Sequence, residues 1–306
     1  MSKFLIIGDT HISGRNSENR LGDIYKDTLL KIEEIISLSK NLKVDGVLHG
    51  GDVFDSAIVS NNIVDDLVDR IEEAKIIWHC LRGNHDEIGH SPELSSASSL
   101  DHIFRRSKFI KSLTILESED YIIVGKDYYH NIEENFKING FQIKVTPKQW
   151  KIGLLHLFLT KKPFLPTVLH LPVKDFNTNL DIIFSYHNHQ PFHIITDTEF
   201  VNVGAICRRD INEVEINPSV VLLDTEKREH KIIPLKSAKP GSEVFDLTKV
   251  TKAKAFEEDI DKFIASLQTT TFTELDLRGI VEEVGKQKEI DREIIDNLIE
   301  RIGKYD

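Results

Sequence analysis

Hydrophobic residues along the first two thirds of this chain come in short runs rich in Ile and Val, at residues 3–8, 45–51, 74–80, 151–155 and 181–184. Runs of this length and composition are typical of interior sheet strands. Between them lie longer stretches with apolar positions mostly at helical spacing. Residues 23–40 carry Ile24, Leu29, Leu30, Ile32, Ile35, Ile36 and Leu38, and residues 61–73 carry Ile63, Val64, Leu67, Val68 and Ile71. The serine-rich stretch 91–99 reads as a loop leading into a short helix near 100–104. Further strand-like pieces fall near 121–125, 140–145, 193–203, 218–223 and 230–234. This alternation predicts an α/β fold: a central sheet layered by helices, or a two-sheet sandwich flanked by them.

Residues 236–242 have the Lys, Pro, Gly and Ser composition of a linker. They divide the chain into a large domain, 1–235, and a small α/β appendage, 243–306. Helices are expected there at 253–268 and 291–304, with a strand at 272–280. The appendage carries no cluster of ligand-type residues. It reads as a packing module, a cap-like domain or a surface that docks a partner. No internal repeat or long low-complexity tract interrupts the pattern.

Each of the five apolar runs leads into residues that can bind metal. Asp9 and His11 come after the first, Asp52 and Asp55 after the second, and Asn84, His85 and Asp86 after the third; His156 ends the fourth, and His187 and His189 come after the fifth. Open α/β sheets collect ligands at the carboxyl ends of their strands, so five separate segments can converge on one crevice. In extended chain, residues i and i+2 point the same way. Asp9 with His11, and His187 with His189, are therefore expected to aim as pairs at one place. Glycines before the first three motifs allow sharp turns and close approach. Imidazole and carboxylate suit manganese, iron or zinc, and no cysteine cluster points to a thiolate site. Each motif alone has an ordinary explanation: a surface loop, a turn, a partly buried histidine, or an aspartate capping a helix. Their shared order, each after a strand-like run, points to one site.

With 306 residues, of which 40% are hydrophobic, the chain can bury a large core. Only Cys80 and Cys207 are present, which fits a reducing, cytoplasmic compartment better than a disulfide framework. No stretch approaches the roughly 18 apolar residues of a membrane span, and the N-terminus enters a strand without an export signal. The net charge is 39 − 50 = −11. That is awkward for a protein that grips nucleic acid, where Lys and Arg contacts to phosphate drive affinity. Three basic groups offset it locally, Arg105-Arg106-Ser107-Lys108, Lys161-Lys162 and Arg208-Arg209, or they are solvated surface charges.

The ordered set Asp9-x-His11, Gly51-Asp52-x-x-Asp55, Gly83-Asn84-His85-Asp86, a lone His156 and His187-x-His189 resembles the calcineurin-like metallophosphoesterase superfamily, over residues 3 to about 205. Within it, the wording of residues 50–56 and 82–86 is most similar to the SbcD-type nucleases of DNA break repair. Residues 201–205 are similar to the Asn-Pro-Gly-Ser turn of many members, with Val203 and Ala205 replacing Pro and Ser. Tyr186 stands where Gly is usual, and its larger side chain is expected to shift the loop or to sit over the substrate.

The resemblance implies a layered β-sandwich flanked by helices that binds two divalent ions, Mn2+ first, with Mg2+, Fe2+ or Zn2+ as alternatives. It implies one ion on Asp9, His11, Asp52 and His189, and a second on Asp52, Asn84, His156 and His187. His85 is then free to steady the phosphate or protonate the leaving oxygen, oriented by Asp86 or another acceptor. The implied substrate is double- or single-stranded DNA, in repair, recombination or replication. The implied partners are an SbcC-like coiled-coil ATPase and a second copy of the chain, joined near residues 55–73 and 91–106. A phosphodiesterase for small cyclic or dinucleotide substrates, a phosphomonoesterase, and a scaffold that keeps the fold to bind a partner stay open beside it.

Overall fold

The computed structural model describes residues 2–90, 97–144, 146, 148–163 and 168–248, with isolated positions between 281 and 299. In chain order its elements are β1 (Lys3–Ile7), α1 (Ile24–Leu42), β2 (Gly46–His49), α2 (Asn61–Ala74), β3 (Trp78–Cys80), α3 (Ser99–Arg106), β4 (Ile110–Ser112), β5 (Ile115–Glu117), β6 (Tyr121–Lys126) and α4 (Ile132–Asn139). Then come β7 (Trp150–His156), β8 (Leu159–Thr160), β9 (Leu171–Pro172), β10 (Ile182–Tyr186), β11 (Phe192–Ile195), β12 (Glu199–Asn202), β13 (Ser219–Asp224), β14 (Glu229–Pro234) and the single-turn α5 (Gly241–Val244).

Two six-stranded sheets form the centre, in the orders β14-β13-β1-β2-β3-β4 and β11-β12-β10-β7-β6-β5. The middle of each is parallel: β1 to β4 in the first, and β12, β10, β7 and β6 in the second. Antiparallel strands border the first sheet on one side, at β13 and β14, and the second on both sides, at β11 and β5. Buried parallel strands need apolar residues on both faces, and β1 shows the division. Leu5 and Ile7 pack with Ile32 and Ile35 of α1, Leu67 and Ile71 of α2, and Leu100 and Ile103 of α3. Phe4 and Ile6 face the other way, against Ile152, Leu154, Phe184 and Tyr186 of the second sheet. The second sheet's outer face packs Leu155 and Ile183 against Ile132 and Phe136 of α4. The result is a helix–sheet–sheet–helix sandwich, as the apolar runs predicted.

Local chemistry sets the element ends. The Asp23 carboxylate accepts the N–H groups of Tyr25 and Lys26 at 3.0 and 3.2 Å, capping α1. The Ser98 hydroxyl accepts from Asp101 N–H at 3.2 Å and starts α3.

Some elements differ from the pattern. Residues 140–144 form no strand; Phe141 makes one isolated bridge to Thr178. The side chains of Thr178 and Asn179 instead satisfy the backbone of Phe141 and Ile143, at 2.8–3.0 Å. The run 193–203 is a hairpin of β11 and β12, because the Thr196 hydroxyl accepts from Thr198 N–H and donates to Thr198 C=O across a tight turn. β4, β5 and α4 were not expected, being too short for their periodicity to register.

The stretch expected to be a linker is pinned to α1. Lys236 and Ser237 N–H donate to the Glu34 carboxylate at 2.8 and 2.7 Å, and Lys239 Nζ lies 2.8 Å from Asp27. Phe245 is fully buried and pairs with Arg20. The chain accordingly divides into two compact units, Met1–Phe245 and Asp246–Asp306. In the second unit the described positions 281, 282, 285, 292, 295–297 and 299 are helical. The elements expected at 253–268 and 272–280 lie outside the described residues. No helix among the described residues is long and apolar enough to cross a membrane.

Candidate metal centre

The loops after β1, β2, β3, β7 and β10 meet at one rim. They are sewn together by their backbones: Asp9 N–H donates to Gly51 C=O at 3.1 Å and His11 N–H to Asp52 C=O at 3.0 Å. His85 N–H donates to Asp52 Oδ1 at 2.9 Å, and His187 N–H reaches Asp9 Oδ2 at 3.2 Å. These bonds bring together Asp9, His11, Asp52, Asn84, His85, His156, His187 and His189.

Their ligand atoms form three overlapping groups, Asp9–His11–His189, His11–Asp52–His85 and Asp52–His156–His187, each within 4.8 Å. Asp52 Oδ2 lies 3.5 Å from His11 Nε2 and 3.5 Å from His156 Nε2. His11 Nε2 is 3.1 Å from His189 Nε2, and Asn84 Oδ1 is 3.1 Å from His156 Nε2.

The pairing does not follow from extended chain. Asp9, His11, Asp52 and His187 have φ of 49°, 41°, 52° and 83°, in the left-handed region that side chains other than glycine seldom adopt. Asp9 and His11 still share a group, by way of these turns. His187 and His189 separate, one joining Asp52 and His156, the other Asp9 and His11. Gly51 has φ of +105°, and a Cβ there would stand 2.3 Å from His156 Nδ1, so this position needs glycine twice over.

Tyr186 does not line the cleft, and His187 beside it is in the cluster. The Tyr186 ring points into the core and is 1% exposed. It lies between Gly8 and Gly50, where added Cβ atoms would fall 2.1 and 2.0 Å from its ring carbons. The glycines before Asp9 and Asp52 leave the room that the tyrosine before His187 fills.

The protonation pattern calls for a cation. His156 Nδ1 donates to Gly50 C=O at 2.8 Å, so in the neutral ring Nε2 presents a lone pair. That lone pair faces the oxygens of Asn84 and Asp52, which also offer lone pairs. Burial opposes a charged His156 ring, but Asp52 and Asp9 outweigh it and push the group up to about 9. Without another cation, a buried imidazolium fills the space. Burial pushes His187 down to about 3 and His11 well below its usual value, keeping both rings neutral and able to donate lone pairs. Burial works against the Asp52 carboxylate, yet His156 and His11 hold it well below the usual range. Imidazoles and carboxylates gathered in this way are a donor set that a divalent metal takes, displacing the protons of those that carry one, so the residues fit one.

One supporting side chain, Glu213, fell outside the sequence reading. Glu213 Oε1 lies 2.6 Å from His189 Nδ1 and fixes that ring, while its Oε2 accepts from Arg209 N–H at 2.7 Å. The Arg209 guanidinium lies 2.7 Å from Asp55 Oδ1 and 3.4 Å from His11 Nδ1. His85 is oriented by the Asp55 carbonyl, 2.8 Å from its Nδ1, and not by Asp86. Asp86 is buried and accepts the N–H groups of Gly83, Val53 and Phe54 at 2.9–3.2 Å, joining the second and third loops.

A cleft of about 760 Å3 opens over the cluster, lined by Asp52, His85, His187, His189, Phe158, Lys161, Lys162 and Arg209 among others. Of the basic groups, Lys161, Lys162 and Arg209 reach the site. Arg208 is buried, donating to the carbonyls of Val214, Ile216 and Lys239. Arg105 and Arg106 line a separate depression beside α2 and α3.

A two-sheet sandwich with Asp and His side chains gathered where its parallel strands end defines a metal-dependent hydrolase. Residues 2–191 match the model of the calcineurin-like phosphoesterase family, and the chain belongs to that family, whose members use divalent metals to hydrolyse phosphoesters. No curated relative matches. Among solved structures, the chain is similar to an archaeal phosphodiesterase, with 19% identity, 76% of this chain and 99% of that one covered, and a TM-score of 0.40. It is also similar to TT1561 of Thermus thermophilus, with 10% identity, 76% and 98% covered, and a TM-score of 0.45. The third is Yfce, a phosphoesterase from E. coli, with 14% identity, 76% and 100% covered, and a TM-score of 0.38.

Proposed function

We propose that the chain is a nuclease of the SbcD-like type, hydrolysing phosphodiester bonds of DNA. One ion is assigned to Asp9, His11, Asp52 and His189, and a second to Asp52, Asn84, His156 and His187. The observation that carries this is the position of Asp52 Oδ2, equidistant at 3.5 Å from a histidine of each set. A carboxylate there offsets the repulsion of neighbouring cations.

When bound, the ions supply Lewis acidity and lower the pKa of a water. The side chains do the rest. His85 is held through Nδ1, so its ring lines the cleft at a fixed angle and Nε2 is left to carry a proton to the leaving oxygen. Lys161 and Lys162 stand at the cleft wall where flanking phosphates are screened.

The DNA reading is supported by the Asp52-Val53-Phe54-Asp55 wording and by this lysine pair. The acidic chain leaves part of the grip to partners: an SbcC-like ATPase, and a second copy joined through 55–73 and 91–106. Mn2+ is the metal proposed. One observation favours a second reading, a phosphodiesterase for cyclic or dinucleotide substrates: a volume of about 760 Å3 matches small-ligand sites of about 300–1,000 Å3.

The test supplies the full chain and Mn2+ with linear duplex DNA, single-stranded DNA, a cyclic dinucleotide and bis-p-nitrophenyl phosphate. DNA and the chromogenic diester are expected to be cleaved. Cleavage of the dinucleotide with DNA intact replaces the first reading by the second. No cleavage of any ester with Mn2+, Mg2+, Fe2+ or Zn2+ removes both.

A further inference from the structure

A second set of metal-type side chains lies at the open margin of the sandwich. His193 on β11, Glu199 on β12 and His230 on β14 bring their ligand atoms within 4.8 Å of one another. Glu199 Oε1 is 2.7 Å from His193 Nε2 and 3.9 Å from His230 Nδ1. β11 is an edge strand of the second sheet and β14 an edge strand of the first. One carboxylate oxygen is thus approached by an imidazole from each sheet. The two rings meet edge-on with centroids 5.7 Å apart, and His230 also meets the buried Phe184 ring edge-on at 5.7 Å, which restrains its plane.

We propose that His193, Glu199 and His230 bind one Zn2+ ion that clasps the edges of the two sheets together. Two imidazoles and a carboxylate are a zinc donor set, with bonds of about 2.0–2.2 Å. Tetrahedral bonds of that length place ligand atoms about 3.3 Å apart. The observed 2.7 and 3.9 Å lie on either side of that spacing. Shifts of roughly half an ångström in side-chain position bring both histidine–glutamate spacings to that value. The His193 and Glu199 side chains are 45% and 29% exposed, free to make that shift, and solvent supplies the fourth ligand. Mg2+ and Ca2+ favour oxygen donors, whereas imidazoles select zinc and its neighbours. Hydrogen bonding between His193 and Glu199 alone is an ordinary exposed pair. The added approach of His230 from the other sheet makes the arrangement a site.

The test is stoichiometry. Full-length chain stripped with EDTA is titrated with Zn2+ in competition with a chromophoric chelator. Wild type is expected to bind one equivalent more than His193→Gln or His230→Asn. The reading is a difference between proteins, so it is independent of how many ions the main cleft takes. The same difference is expected in an Asp52→Asn background. Zn2+ is expected to raise the thermal midpoint of wild type more than that of either variant. Equal metal-free midpoints, expected for all three proteins, show that the variants are folded. Mn2+-dependent diester hydrolysis is expected to be unchanged. Equal zinc equivalents in wild type and both variants overturn the proposal.

Discussion

The His85 ring has one nitrogen held by the Asp55 carbonyl and lines the cleft, besides joining His11 and Asp52 in one group. His85→Ser is expected to slow hydrolysis by about 10²–10⁴ with metal content near wild type, read by steady-state kinetics alongside metal analysis. Metal lost in parallel with activity makes the residue a ligand. Tyr186 and Gly50 give a prediction about packing. Gly50→Ala drives a methyl into the tyrosine ring and is expected to destabilise by about 1–3 kcal/mol. In a Tyr186→Ala background the methyl gains space, so chemical denaturation of the four proteins should show coupling of about 0.5–3 kcal/mol; strictly additive effects refute the wedge. The eight clustered residues were readable because each lies just beyond its own apolar run. Glu213 was not, since it lies 24 residues beyond His189 in a turn without hydrophobic pattern. Only the folded chain brings it to that ring. The placing of Tyr186 over the substrate failed because a side chain's direction depends on which neighbours leave room, and the room here is left by Gly8 and Gly50, just beyond β1 and β2.

At the level of elements, the strands and long helices were legible and the short pieces were not. α1 and α2 each repeat an apolar stripe over several turns, whereas α4 buries little more than Ile132 and Phe136. The reading of 236–242 as a linker rested on Pro and Gly. What holds that segment is the Glu34 carboxylate, more than 200 residues earlier. The end of the first unit is therefore set by contacts and not by composition. A chain ending at Phe245 is expected to fold and to cleave bis-p-nitrophenyl phosphate with Mn2+ at a rate within about twofold of full length, provided the proposed activity holds. A chain ending at Leu235 loses buried Val244 and Phe245, where deletion of large core side chains costs about 2–5 kcal/mol each. Its thermal midpoint should fall well below that of the longer fragment. Equal midpoints for the two fragments contradict the docked segment. The same comparison with DNA as substrate tests whether residues 246–306 serve nucleic-acid or ATPase engagement.

For the molecule as a whole, charge limits how DNA is held. The net charge of −11 disfavours wide contact with a polyanion, and three cations, Lys161, Lys162 and Arg209, reach the cleft. Counterion release gives a slope of log K against log salt of about −0.9 per phosphate contact, so about −3 is expected for the free chain on duplex DNA. Lys161→Gln with Lys162→Gln should flatten the slope by about two. Binding measured across a salt series decides this, and an unchanged slope places the contact elsewhere. Charge and composition alone did not reveal this distribution, because Arg208 and Arg209 are sequence neighbours with opposite fates. The first is buried among carbonyls and the second faces Asp55.

The order of strands in the first sheet also bears on how the protein is made. β1 carries Asp9 and His11 into place, and it lies between β2 and β13. On a ribosome, β2 emerges soon after β1, but its other neighbour waits until residue 224 has been synthesised. Until then β1 remains a bare, apolar edge, open to pairing with other chains. The family match ends at residue 191, before β13 begins. A nascent chain can thus contain every residue of the cluster and still lack the strand that completes its sheet. Release from β1-mediated aggregation, and the settling of the loop beyond it, come late in translation.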